Sequence, residues 1–458
     1  MKRPLFLLVA LGAGLRLWAF ALHPSQHPDE YFQYVEPAWH HLHGYGWPAW
    51  EWAVGLRSWV LPGYHGACMA LLDWLGIRDG ARQIAFLQLH WALLSLLVVP
   101  AAYRAAAQLS GHAGGLLAAG LCALLPELVY FAPHTLTELP SAILATWGYA
   151  RWLESRAADA PGRGLRAALG AGALLSFATC LRLPNAPLAL VPMLDLLLSR
   201  RWAALRALAL GALGPLLFFG AIDWITWGRP FHSLIAYLDY NFLQGRAAEH
   251  GSSPWSDYLA IFWTRTTGAI VAALAVCLLC WRSSWPALLP ALLLVALLST
   301  QAHKEERFVL AAWPLFAIAL GAARGAALRD RTGPLLRRLA WPAAAIAAAL
   351  LLAGNAFGLR RMPVLDYSAR AGLYAAEAFV GRAPDATGLL VEGRFHLSGG
   401  FATLGRNLPL ATFEPALLHN PIFSHAAVRE GSAEERWCAE FGLQQIWRED
   451  GFAVWRQR

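Results

Sequence analysis

Long apolar runs, each broken by a short polar or Arg-bearing stretch, recur from Leu5 almost to Gly358. Hydrocarbon offers the backbone no hydrogen-bond partner, so each run of spanning length is expected to close its own bonds as a helix. The pattern predicts spanning helices near 4–22, 84–107, 113–132, 138–153, 166–181, 185–199, 203–222, 259–280, 285–300, 308–324 and 340–358, about eleven in all. The fourth, fifth and sixth are short, which suits tilted or broken spans. The stretch Leu61 to Leu75 is too short to cross and is expected at the interface. Met1-Lys2-Arg3 followed by Leu5 to Leu22 has the look of a signal peptide, but the run is long and no A-x-A site follows, so it is read as a retained first helix.

Counting from a cytoplasmic Lys2-Arg3, the even-numbered connections face inward. They carry Arg104, then Arg151, Arg156, Arg163 and Arg166, then Arg200 and Arg201, then Arg282, and the cluster from Arg324 to Arg338. All are short and Arg-bearing, as the positive-inside rule requires. The opposite face then receives His23 to about Gln83, Phe131 to Thr137, the Arg182 turn, Asp223 to Tyr258, and Thr300 to Arg307. These hold most of the carboxylates and His of the membrane region, and its only Lys beyond Lys2. Polar groups gathered at helix mouths on one face read as a functional site.

After Gly358 the pattern changes. Asp366 to Val380 has helical periodicity, Gly388 to Val391 and Leu408 to Thr412 read as short strands, and Ala433 to Phe441 as a helix. Gln444 to Trp447 and Phe452 to Trp455 flank Glu449-Asp450-Gly451 as a hairpin. The expected organisation is therefore a transmembrane domain at 1–358 and a small external α/β domain at 359–458, with no internal repeat.

Composition agrees. Hydrophobic residues make up 57% and charged residues 14% of 458, against about 25% charged in soluble domains. The formal net charge of +8 is spread between apolar runs and not gathered on one face, which favours a membrane surface over nucleic acid. The 22 Trp suit interfacial anchoring. Cys277 and Cys280 lie within a helix with no second pair, so core packing is the reading, and no disulfide framework is implied. Ala, Leu and Arg richness points to a GC-rich bacterial genome, which would place the protein in a bacterial inner membrane with its polar face in the periplasm.

Five polar clusters on that face are candidates for chemistry. Asp29-Glu30, just after the first helix, suits holding a hydroxyl and taking its proton; the alternative is that Asp29 caps a helix and Glu30 is solvated. In His303-Lys304-Glu305-Glu306-Arg307, Lys304 and Arg307 can present two cations to one phosphate at the start of the tenth helix; the alternative is an interfacial charge run. Glu138 either binds a ligand or satisfies the start of the fourth helix. Arg182 either snorkels to headgroups or faces an anion. The aromatics from Asp223 to Tyr258 form a sugar platform or an interfacial belt. The spacing of His27, Asp29, Glu30, His303 and Glu305 fits no compact ligand motif, so no metal is expected. Nucleotide motifs and a Ser nucleophile elbow are absent from the sequence, and no cofactor is expected.

The stretches HPDEYFQYVEPAW (27–39), GYGWPAWEW (44–52) with Arg57-Ser58, DWITWGRPF and YNFL within 223–243, GSSPWSDYL (251–259) and HKEERFVLAAWPL (303–315) occur in this order. Together they resemble the membrane mannosyltransferases of glycosyltransferase family 22. The resemblance implies a GT-C fold, a polyprenyl-phosphate-linked hexose donor, typically mannose, and inverting, metal-independent transfer to a hydroxyl of a glycolipid or glycan acceptor. It implies Asp29 as general base and Glu30 as its polar neighbour or an acceptor contact. Lys304, with His303 and Arg307, would hold the donor phosphate, while Arg57, Glu138, Glu305 and Arg182 would contact substrate. A lipid-linked glycan flippase, an oligosaccharyltransferase and a lipid A sugar transferase are the competing readings. A flippase is expected to carry midplane polar residues and repeat symmetry.

Overall fold

The structure is a computed structural model that describes residues 2–22, 27–323, 334–359, 371–393 and 395–457. Each of the eleven apolar stretches falls mostly on helix among the described residues. Among the described residues, six helices are long and apolar enough to cross a membrane, or seven if the bent pair Asp257–Arg265 and Ala269–Leu279 forms one span. The difference from eleven has a physical cause. Pro187–Leu198 and Ala312–Ala322 are short, and Glu138–Ala157 carries Glu138, Arg151, Glu154 and Arg156. The expected spans at 84–107 and 113–132 fall largely in one long stretch, Gly80–Leu124, that breaks between them at Gly111, at positive φ. The bent pair turns through 105° at Thr267 and Gly268, both left-handed. The chain divides into two compact units.

The first unit comprises residues 1–19, 92–132 and 137–361. Small residues let its helices approach closely. A Cβ on Gly172 would collide with the Leu208 carbonyl, and one on Gly211 with that of Leu169, so helices Pro161–Leu181 and Trp202–Trp227 meet at a reciprocal glycine contact. A fully buried cation fastens the first helix. Arg16 donates to Ser95 Oγ at 2.6 Å and to the carbonyls of Gly12, Ala123 and Cys122 at 3.0–3.2 Å. In a low-dielectric interior a guanidinium without a carboxylate persists only when its donors are used.

The second unit comprises residues 20–91, 133–136 and 362–458. The expected boundary at 358/359 falls near its last junction, but the unit also takes in the first long loop. That loop folds as a buried π-helical turn Glu30–Val35, then helices Glu36–His43, Trp50–Ala53 and Val60–Trp74. The helix expected over 366–380 is described from Ala371 to Arg382; its first part lies outside the described residues. The sheet has strands β1 (Leu389–Val391), β2 (Leu410–Thr412), β3 (His425–Arg429), β4 (Gln444–Glu449) and β5 (Phe452–Arg456) in the order β2-β1-β3-β5-β4. β3 pairs parallel with β1 and antiparallel with β5. Helix Ala371–Arg382 covers one face through Leu373, Ala376 and Val380 against Val391, Ala427 and Val454. Cys438 of helix Ala433–Glu440 packs on the other with Leu390, Ala426 and Val428. The expected hairpin is present, its turn made by Asp450 and Gly451 at positive φ.

Loop and tail of this unit are joined by a buried carboxylate. Glu36 accepts the N–H of Trp47 at 2.7 Å and of Ala402 at 2.6 Å, and Gly400 leaves room for it where any Cβ would meet its Oε1. Tyr31 stacks on Tyr374 at 5.2 Å, and Arg382 makes a bidentate pair with Asp79. Burial raises the Glu36 carboxyl to about 7 against the backbone donors that pull it down. Glu377, which accepts the Gly399 N–H, is raised too, by burial first and with Glu36 adding to it. A carboxyl raised on folding stabilises the fold fully below its unfolded value of 4.5 and loses that contribution as pH rises through about 7. Opening of the Trp47 and Ala402 amides, read by hydrogen exchange corrected for intrinsic rate, should therefore become rarer by up to about tenfold per unit as pH falls from 7 to 5. Glu36→Gln should remove most of that slope; an unchanged slope would show that another group sets it.

Candidate active site

In the second unit, the loop after the first helix is ordered by Glu30 and not by Asp29. Glu30 is 1% exposed and accepts four donors: the His27 N–H at 2.9 Å, the Thr135 N–H at 3.0 Å and hydroxyl at 3.4 Å, and His134 Nδ1 at 2.5 Å. Burial works to raise its carboxyl, but His134 and the backbone donors outweigh it and hold it below the usual carboxylate range. The reading of Glu30 as a merely solvated side chain is thus overturned: it is the hub that pins His134 and Thr135 to the loop. Asp29 stands at the N-cap position of the π-helical turn yet makes no side-chain cap bond. Its carboxylate is part exposed, 3.8 Å from His27 Nδ1, and His27 Nδ1 accepts the Asp29 N–H at 3.2 Å. The capping alternative for Asp29 fails in this geometry. Arg57 lies 3.4 Å from Glu51 Oε1, which also accepts Gln33 Nε2 at 2.8 Å.

In the first unit, four separated segments bring Glu138, Arg182, Tyr258 and residues 303–308 into one electrostatic network. Arg182, extended between Pro161–Leu181 and the turn Leu183–Asn185, places Nη1 3.0 Å from Glu138 Oε1. Arg307 reaches the same oxygen at 3.5 Å and makes a bidentate pair with Glu305 at 2.7 and 3.0 Å. The two guanidinium groups lie over the Phe308 ring at 4.7 and 5.3 Å. His303 Nε2 is 2.9 Å from Glu305 Oε1. Tyr258 is fully buried and feels the Arg182 and Glu305 charges. Arg182 therefore faces a carboxylate and does not snorkel outward.

Lys304 differs from its neighbours. It is 8% exposed, and its Nζ donates to the carbonyls of Ser253 at 3.0 Å and Gln301 at 2.5 Å. Among the described residues no carboxylate lies within ion-pair distance of it. Two of its three ammonium protons are thus used by backbone carbonyls. Residues 303–307 do not open the tenth helix as expected; a short 3-10 turn, Glu306–Val309, follows Glu305 and the helix starts at Ala312. The phosphate-binding expectation therefore rests on the Lys304 ammonium and not on a helix N-terminus.

A model of the Alg9-like mannosyltransferase family matches residues 6–360. The chain belongs to that family. Among its relatives, GPI mannosyltransferase 3 of Yarrowia lipolytica is 29% identical over 344 residues, covering 74% of this chain and 65% of the relative. GPI alpha-1,2-mannosyltransferase 3 of Mus musculus is 28% identical over 330 residues, covering 69% and 58%. The chain thus matches about 65% of the length of the first of these and less of the second. Its fold is similar to the crystal structure of ArnT from Cupriavidus metallidurans in the apo state, with a TM-score of 0.63 at 15% identity over 98% of this chain and 97% of that one. This Alg9-like chain is an integral membrane protein with the GT-C fold.

In each unit of this Alg9-like chain, polar pairings appear that the sequence did not signal. Phe308 is the ring between two cations, Arg265 pairs with Glu306, and Gln33 and Glu51 form a buried pair. Glu51 stood inside a quoted motif, but its burial had no local signal. The shared oxygen of Glu138 gives a direct test. Glu138→Ala leaves two buried arginines short of a counter-charge and should destabilise the detergent-solubilised protein by about 3 kcal/mol. Arg163→Ala breaks the exposed pair with Glu154 and should change stability by less than about 0.5 kcal/mol. Thermal unfolding of both variants checks the contrast.

Proposed function

We propose that the protein transfers a hexose, mannose, from a polyprenyl-phosphate-linked donor to a hydroxyl of a glycolipid or glycan acceptor, with inversion at the anomeric carbon. The observation that carries this reading is the Lys304 ammonium, buried and without a counter-ion among the described residues, in a chain of the Alg9-like mannosyltransferase family. A phosphate oxygen is the anion that the reaction would deliver to it. As the bond from the anomeric carbon to phosphate breaks, negative charge grows on the departing polyprenyl phosphate, and the third ammonium proton can meet it. His303 and Arg307 flank Lys304; Arg307, already shared between Glu138 and Glu305, is assigned to holding that network in shape.

Asp29 is the proposed general base. It is the part-exposed carboxylate of the loop, whereas Glu30 is committed to four donors. The acceptor oxygen bonds to the anomeric carbon while its proton passes to Asp29. In the same scheme Arg57, Glu138, Glu305 and Arg182 shape the substrate side, residues 1–358 supply the transferase and residues 359–458 an external domain. The acting face is the one opposite the cytoplasm, from the Arg bias of the connecting loops. Composition alone suggested a bacterial inner membrane and a periplasmic site; the relatives named above are eukaryotic and lend that no support.

Membranes carrying the protein, given labelled polyprenyl-phosphate mannose, should yield labelled glycolipid. Asp29→Asn should abolish transfer, by at least about a hundredfold, while the protein purifies and melts as the wild type does. Retained turnover would remove Asp29 from the mechanism. Excess EDTA should leave the rate unchanged; a loss restored by a divalent cation would contradict metal-independent transfer.

A further inference from the structure

Glu51 is held from one side only. It lies in the short helix Trp50–Ala53 and is 6% exposed. Gln33 Nε2 at 2.8 Å and Arg57 Nη2 at 3.4 Å both address its Oε1. Its Oε2 is buried, and among the described residues no donor reaches it. A buried carboxylate oxygen left without a donor is costly, and the pair is built to keep it so: Trp52 Nε1 fixes the Gln33 carbonyl at 3.2 Å, and the Ala49 N–H fixes that of Phe32 at 2.8 Å. Gln33 follows Asp29 by four residues along the same helical turn, so Glu51 is tethered to the turn that carries the proposed base.

The surroundings define the ligand chemistry. Beside the carboxylate stands a guanidinium, Arg57. A carboxylate oxygen that accepts and a guanidinium that donates suit a sugar, whose hydroxyls both donate and accept. We propose that Glu51 Oε2 accepts a hydrogen bond from a hydroxyl of the acceptor glycan, making Glu51 an acceptor-binding and specificity-determining residue. The proposal rests on the mannosyl-transfer reading and adds the residue that selects the acceptor.

The test is a transfer assay with purified full-length protein, polyprenyl-phosphate mannose as donor and methyl α-D-mannopyranoside as the acceptor probe. Glu51→Gln keeps the shape and the contact with Gln33 but removes an anionic oxygen. It should raise the acceptor KM at least about tenfold, leave the donor KM within twofold and keep the melting temperature close to wild type. Should Glu51→Gln fail to fold, Glu51→Asp, which withdraws the oxygen while keeping its charge, is judged by the same KM criterion. An unchanged acceptor KM, or a fall in kcat with both KM values constant, would overturn the assignment in favour of a structural role. A wild type that labels membrane glycolipid but is not saturated by the mannoside overturns it too, leaving mannosyl transfer intact. A wild type inactive toward both overturns the functional reading and this inference with it.

Discussion

A single carboxylate oxygen, Oε1 of Glu138, stands between Arg182 and Arg307, and the polar centre of the first unit depends on it. Near a membrane interior an unmatched charge is expensive, so cations from separate helices assemble only around a shared counter-charge. Glu138 supplies it from the start of helix Glu138–Ala157, and Glu305 supplies the remainder to Arg307. Phe308 then offers one ring to both guanidinium groups. Once those cations are matched, Lys304 stands apart: it is buried and its Nζ donates to two carbonyls. Along one short motif, Arg307 is thus paired with carboxylates while Lys304 meets backbone carbonyls.

The second unit uses carboxylates differently. Glu30 and Glu36 are both buried, yet their acidities move in opposite directions because their partners differ. Glu30 has an imidazole beside it and is held in the charged form; Glu36 has only backbone N–H groups and is raised to about 7. One therefore fixes the segment around His134, and the other joins the first loop to the C-terminal sheet domain through Ala402. Asp29 and Glu51 differ from both: one carboxylate is part-exposed, and the other is buried with one oxygen engaged.

Much of this was legible in the sequence. Apolar runs marked the long helices described in the membrane region, because hydrocarbon leaves a backbone no other choice. Run length alone could not show where Pro187–Leu198 stops short or where Thr267 and Gly268 bend a span, and the helix His232–Leu238 lies in a stretch read as a loop. The hairpin around Asp450-Gly451 was readable from turn chemistry. Strand β3, His425–Arg429, was not: a strand buried at the centre of a sheet lacks alternation, and two alanines give little β signal. For the site, motif position indicated Asp29, Lys304 and Arg307, and the face count indicated Glu138 and Arg182. That Glu138 serves two arginines, and that Gln33 holds Glu51, are long-range pairings that no local pattern encodes.

The central claim is that the unmatched Lys304 charge receives the phosphate of the lipid-linked donor. It is met most directly by measuring the affinity of the purified protein for a short-chain polyprenyl phosphate by calorimetry, comparing wild type with Lys304→Met. The account predicts saturable binding that weakens at least about tenfold in the variant and weakens further for the wild type as salt is raised. Equal affinity in the two proteins would contradict it.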